Sequence, residues 1–206
     1  MIEYLQKFTP CLEQSFFQYH VPEITYFNLI TEPNFRLKLY FIRKPKDREY
    51  LVSPHSHKYN FYTEVLSGEV QNCLFDEIDS MGQYSNAQRN YVSDLGNFDE
   101  NQISRNCFLQ PSKYWPAYLP VSGYYMDYRQ IHTLKILSDT VILLLREYRK
   151  EAVNSCLYTV DKTSLRVAVP PVYKKFTSKE EMIDSYCSVL EQISFESFNQ
   201  ARKVGV

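Results

Sequence analysis

The chain holds four histidines, and two of them stand one residue apart in Pro54-His55-Ser56-His57. In extended backbone the side chains at i and i+2 leave the same face, so both imidazoles can be aimed at one point, as a divalent metal ion requires. On the strand that follows, Tyr62 and Glu64 share a face. They are read as candidate catalytic groups, either acid/base groups or partners of a metal ligand, against the alternative of Tyr62 in the core and Glu64 in solvent. Met126, further along, would line a pocket if it faces inward, and packing is its other role.

Such residues must be held by regular elements, and hydrophobic periodicity says which. Ile2, Leu5, Phe8, Leu12, Phe16 and Phe17 recur at helical steps, which predicts an amphipathic helix over Met1 to His20 within a helical segment 1–23, with Pro10 liable to shorten it. From Ile24 the period changes to that of strands. Phe35 to Arg43 alternates apolar and basic residues, and a second strand is expected near Glu49 to Pro54. Tyr59 to Leu66 and Glu69 to Phe75, parted by Ser67-Gly68, read as a hairpin. The stretch 76–101 is polar and reads as a long excursion. Strands are expected again at 103–109, 123–128, 130–137, 140–148, 155–160 and 165–169, with Pro170-Pro171 closing the β-rich part 24–171. Ser178 followed by Glu180 and Glu181 looks like the cap of a C-terminal helix over 178–203. Its apolar stripe, from Met182 to Phe198, is expected to pack on the strands.

Composition narrows the function classes. With 23 Lys plus Arg against 24 Asp plus Glu, the net charge of -1 gives no basis for a nucleic-acid partner. Five cysteines at irregular spacing, without a CxxC pair, fit a reduced compartment, and the expectation is a soluble, cytoplasmic protein with no membrane partner. A length of 206 residues suits a single domain.

The segment His55-Ser-His57-Lys-Tyr-Asn-Phe-Tyr-Thr-Glu-Val-Leu-Ser-Gly68-Glu-Val-Gln-Asn-Cys-Leu-Phe75 resembles the first motif of the cupin superfamily, in which HxH precedes a strand, a glycine turn and a return strand. The stretch from Gly123 to Leu137, containing His132, is similar to the second motif. The resemblance implies a mainly β, double-stranded β-helix (jelly-roll) barrel with flanking helices and a third metal ligand, His132. Two departures stand out. The family's glutamate ligand falls on Phe61 or Tyr62, with Glu64 too late, and the proline and glycine usual before the last histidine are missing.

A three-histidine site is similar to that of thiol dioxygenases such as cysteine dioxygenase. No match to their Ser-His-Tyr partner set follows His132, however, so thiol oxidation is not supported. The expectation is one divalent ion, Fe(II) favoured over Zn, Ni, Cu or Mn, in a dioxygenase acting on a small organic molecule. A metal-assisted isomerase, lyase or hydrolase, and a non-catalytic ligand-binding cupin, remain open alternatives, and the resemblance also implies pairing into a homodimer. His20 is read as a surface or packing residue.

Overall fold

Strand alternation governs most of the chain in the computed structural model, which describes residues 1–78, 84–92, 105–148, 155–159 and 172–204. The strands are β1 (Phe16–His20), β2 (Ile24–Glu32), β3 (Phe35–Arg43), β4 (Asn60–Ser67), β5 (Val70–Ile78), β6 (Tyr84–Val92), β7 (Arg105–Tyr114), β8 (Gly123–Met126), β9 (Ile131–Ile136), β10 (Thr140–Tyr148), β11 (Ser155–Thr159) and β12 (Val172–Lys175). A short helix α1 (Ile2–Leu5) precedes them and a long one, α2 (Lys179–Val204), follows.

Two antiparallel sheets result. One runs β12-β1-β2-β3-β10-β4-β8 and the other β11-β6-β7-β5-β9. The hairpins β4–β5 and β9–β10 each place one strand in either sheet. Since β10 pairs with β4 and β9 with β5, the two hairpins cross between the sheets as one paired ribbon. A two-stranded ribbon wound over two sheets is the double-stranded β-helix, and closing the strands this way shields most of their edges. Gly68 makes the first crossing at φ 76, where a Cβ would run into the Thr140 carbonyl oxygen.

The large sheet is covered on both faces. On its outer face Phe27, Leu37, Leu39, Ile142 and Leu144 pack with Met182, Tyr186, Val189, Leu190 and Ile193 of α2. Burial of each such side chain contributes roughly 1.5–3 kcal/mol, which holds α2 on the barrel as its stripe implied. Ser178 Oγ accepts from the Glu181 N–H at 3.1 Å, and the Glu181 carboxylate accepts from the Thr177 N–H at 2.7 Å, so α2 begins in a reciprocal cap. Between the sheets lies a second core of Ile42, Phe61, Val65, Val70, Leu74, Met126, Ile136 and Leu143. No described helix is long and apolar enough to cross a membrane.

The N-terminus corrects the expected helix. Only Ile2–Leu5 is α-helical; a 3-10 turn at Leu12–Gln14 follows, and Phe16–His20 is strand, paired with both β12 and β2. Pro10 lacks the N–H a longer helix needs, yet Ile2, Leu5, Phe8, Leu12 and Phe17 all join the outer core. Phe16, the sixth apolar position, packs instead among Tyr19, Tyr26 and Tyr173. Glu49 to Pro54 is likewise no strand; it meets β9 through an isolated Tyr50–Lys135 bridge, the Leu51 N–H donated to the Leu134 carbonyl at 2.8 Å and the Lys135–Glu49 ion pair. The excursion 76–101 is partly sheet, since β5 extends to Ile78 and β6 pairs with β7 and β11. Strand β12 follows Pro170-Pro171 where no strand was expected, and the stretch 165–169 lies outside the described residues.

Candidate metal centre

His55 and His132 are direct cross-strand partners in an isolated antiparallel bridge, each donating its backbone N–H to the other's carbonyl at 2.9 Å. Partners of this kind send their side chains to the same face, and His57, two residues on, joins them. The ring centroids stand 4.7, 4.7 and 5.0 Å apart. One ligand nitrogen from each histidine lies within 4.8 Å of the other two.

Local hydrogen bonds set the tautomers. His55 Nδ1–H donates to the Ser53 carbonyl at 2.9 Å, and His132 Nδ1–H donates to Asn72 Oδ1 at 2.8 Å. Both acceptors fix the proton on Nδ1 and leave Nε2 bare. His57 Nε2 approaches His132 Nε2 to 2.8 Å. Two lone pairs so close repel unless a proton or cation lies between them. With metal–nitrogen bonds of about 2.0–2.1 Å, two ligands of a single ion stand at about this separation, so the residues present fit a divalent metal.

Electrostatics agree. His132 is 2% exposed, while His55 and His57 are half-buried. Burial holds the His57 and His132 pKa well below the ordinary imidazole value, with the His55 charge next in both cases. His132, Lys38 and His20 push His57 further the same way. Burial also lowers His55, opposed by its bond to Ser53. Neutral imidazoles are what a metal needs, so little proton competition has to be overcome near neutrality.

These shifts carry a pH prediction for the metal-free protein. Each group binds a proton less readily folded than unfolded, so the unfolded chain is protonated first as pH falls. His20 behaves alike, lowered to about 4 by burial and then by His55 and Lys38. The histidine contribution to stability is therefore complete above the unfolded value of about 6.5 and declines as pH falls through it towards the lower folded values. Urea midpoints measured from about pH 7 down to pH 4 should fall across that window. A flat profile would contradict buried neutral histidines.

Phe61 occupies the inward position where the resemblance placed a carboxylate, and its ring lies 4.4 Å from that of His57. Its cross-strand partner Met126 is fully buried beside it, as pocket lining or packing required. Tyr124 also faces inward; burial raises its hydroxyl to about 12, with Asn72 and Thr63 drawing it back. Tyr62 and Glu64 do not face the cluster. Period-two alternation with Phe61, Thr63 and Val65 inside puts both on the outer face, where Glu64 pairs with Arg146 at 2.9 Å and Arg146 lies over the Tyr62 ring. This corrects their expected role beside the metal.

The interior face of the large sheet carries what the sequence reading missed. Lys38 and Glu147 form an ion pair there, and Glu147 is the cross-strand partner of Phe61. Tyr26 and Tyr40 stack at 5.1 Å, with Tyr19 4.9 Å from Tyr26. The signal was the Arg36-Lys38-Tyr40 alternation in β3. His20 is half-buried, and its Nδ1 lies 2.9 Å from the Tyr173 hydroxyl. A surface depression of about 620 Å³, bordered by Asp76, Glu77, Asp127, Arg129 and Gln130, contains none of the histidines and is not this centre.

No protein-family model and no curated protein matches the chain. Similar solved structures include the dimethylsulfoniopropionate (DMSP) lyase DddQ from Ruegeria pomeroyi, at 10% identity and TM-score 0.39 over 66% of this chain and 52% of that one. KdgF from Halomonas is 14% identical at TM-score 0.37, covering 70% of this chain and 96% of that chain. An RmlC-like cupin with a double-stranded β-helix fold from Methanocaldococcus jannaschii is 10% identical at TM-score 0.36, covering 61% and 79%. The chain thus spans about half the length of DddQ. Likenesses this loose carry no argument about reaction or ligand. Topology carries the assignment instead: with its two facing sheets and the paired hairpins that cross between them, the chain is a mainly β, cupin-type double-stranded β-helix barrel.

Proposed function

We propose that the protein holds one divalent ion on His55, His57 and His132 and acts as a non-haem Fe(II) dioxygenase on a small organic molecule. The observation that carries this reading is the convergence of three imidazoles, two of them with Nδ1–H tied back so that Nε2 is left for a metal. Iron(II) bound there would supply the activation of dioxygen, a chemistry that amino-acid side chains lack. The chain's own residues orient and exclude. Ser53 and Asn72 hold the rings in the ligating tautomer. Phe61 and Met126 close one side with apolar surface and keep water from it.

A second reading, a metal-assisted isomerase, lyase or hydrolase, draws on the Lys38–Glu147 pair on the same interior face. An amine and a carboxylate held together can give and take protons from a substrate seated beside them. Metal content separates the two readings. Protein purified without chelators or affinity tag should carry about one metal ion per chain, with iron, nickel, copper, manganese and zinc each counted. Iron, with iron-dependent oxygen uptake on a panel of small organic substrates, is the expected result. Zinc without oxygen uptake would turn the assignment to the second reading, and a chain that takes up no metal would remove both.

A further inference from the structure

We propose that the interior of the large sheet is a binding site for the carboxylate of a small organic monoacid, with Arg36 as its cationic partner and the Tyr19 and Tyr40 hydroxyls as neutral donors. Register places these groups. Arg36, Lys38, Tyr40 and Ile42 leave β3 on one face, and Ile42 belongs to the core between the sheets, so all four point inward. Glu147 pairs with Arg36 on one side and with Phe61 on the other. Arg36 therefore stands two strand spacings, about 10 Å, from the residue that touches His57. A small molecule bridges that gap.

The chemistry of the wall selects the ligand. Lys38 is ion-paired with Glu147. Arg36 Nε, by contrast, is buried and meets no hydrogen-bond partner among the described residues. A buried guanidinium donor left without an acceptor is costly, and a planar carboxylate is the acceptor that its fork matches. Tyr26 spends its hydroxyl on Asn28 Oδ1 at 3.1 Å. Tyr19 lies 4.9 Å from Tyr26, and Tyr40 stacks on Tyr26 at 5.1 Å. Burial holds both Tyr19 and Tyr40 in the protonated, donating form, and the Arg36 charge reaches both. On β3, β10 and β4 this face carries two cations, Arg36 and Lys38, against one anion, Glu147. That balance suits a single negative charge better than a doubly charged phosphate.

The inference deepens the metal reading but is tested without it. Metal-free protein is titrated with short straight-chain monocarboxylates from acetate to hexanoate, with the matched primary amides and with inorganic phosphate, in parallel with elemental analysis of metal-loaded protein. The expected result is saturable carboxylate binding at least about tenfold tighter than the amide. Arg36→Gln should remove that preference while keeping the metal content of the wild type, and Arg36→Lys should keep part of it. Tyr40→Phe should weaken carboxylate binding severalfold, with a thermal melt confirming that each variant is folded. Equal binding of acid and amide, an unchanged preference in folded Arg36→Gln, or tighter binding of phosphate than of any carboxylate would each overturn the proposal. Loss of metal binding with the carboxylate preference intact would overturn only the metal reading.

Discussion

The His57→Ala protein is expected to fold and to lose its metal. His57 lies between strands, before β4 begins at Asn60, and is half-buried, so truncating it removes no rung of either sheet. A stability cost of about 1 kcal/mol is the ordinary expectation for such a site. For the metal the change is far larger. Residues that only support a ligand already contribute about 10–100-fold in affinity, so deleting one of three ligands should exceed about a hundredfold. Metal in hundredfold excess over its Kd should raise wild-type stability by about 2.7 kcal/mol, and this gain should vanish in the variant. Elemental analysis and a urea titration with and without metal read both quantities. A variant that keeps wild-type metal content would take His57 out of the site. His132→Ala is a less clean probe, because His132 is 2% exposed within β9 and its loss would also open a cavity in the core.

The parts of this architecture that were legible are those where one local rule dominated. The HxH pair rests on extended-chain geometry, and the glycine turn marked the β4–β5 hairpin because only a residue without Cβ fits φ 76 beside the Thr140 carbonyl. Strand β10 came out with its full extent, Thr140–Tyr148, since a β-branched and leucine-rich run bounded by Ser138-Asp139 has no competing reading. The C-terminal helix was announced by its cap and its apolar stripe.

What failed was the assignment of strand faces, and the reason is physical. The usual inference takes the oilier face of a strand as the inner one. Here α2 covers the outside of the large sheet, so Leu37 and Leu39 face the helix while Arg36, Lys38 and Tyr40 face the barrel interior. The rule is inverted where a sheet is covered from behind by an apolar helix. Glu64, the acid singled out in the sequence, is consequently bonded to Arg146 on the outer face. Glu147, which carries no signal in the sequence, pairs with Lys38 inside. Ser53 and Asn72 were invisible for another reason. A carbonyl and an amide that orient a ring leave no pattern in the sequence, since their role depends on contacts 2 and 60 positions away.

Asn72 offers the sharpest test of whether the histidines are ligands or packing. It is fully buried on β5, and its Oδ1 accepts the His132 Nδ1–H at 2.8 Å. Asn72→Leu keeps much of the volume and removes the acceptor. A buried imidazole N–H without an acceptor costs roughly 1–3 kcal/mol. The ring can escape that cost by moving its proton to Nε2, the atom that faces His57. Protonated there, His132 cannot ligate. Metal affinity should therefore fall by about 10–100-fold in Asn72→Leu, although all three histidines remain. Asn72→Asp should restore it, because a carboxylate accepts the same bond and makes the imidazole a better donor to the metal. Nitrogen chemical shifts of His132 in the metal-free protein would report the proton on Nδ1 in the wild type and in Asn72→Asp, and on Nε2 in Asn72→Leu. If the tautomer and the affinity are unchanged in Asn72→Leu, the amide is only filling space. If the tautomer moves while metal affinity does not, His132 is not a ligand, and the metal is held without it.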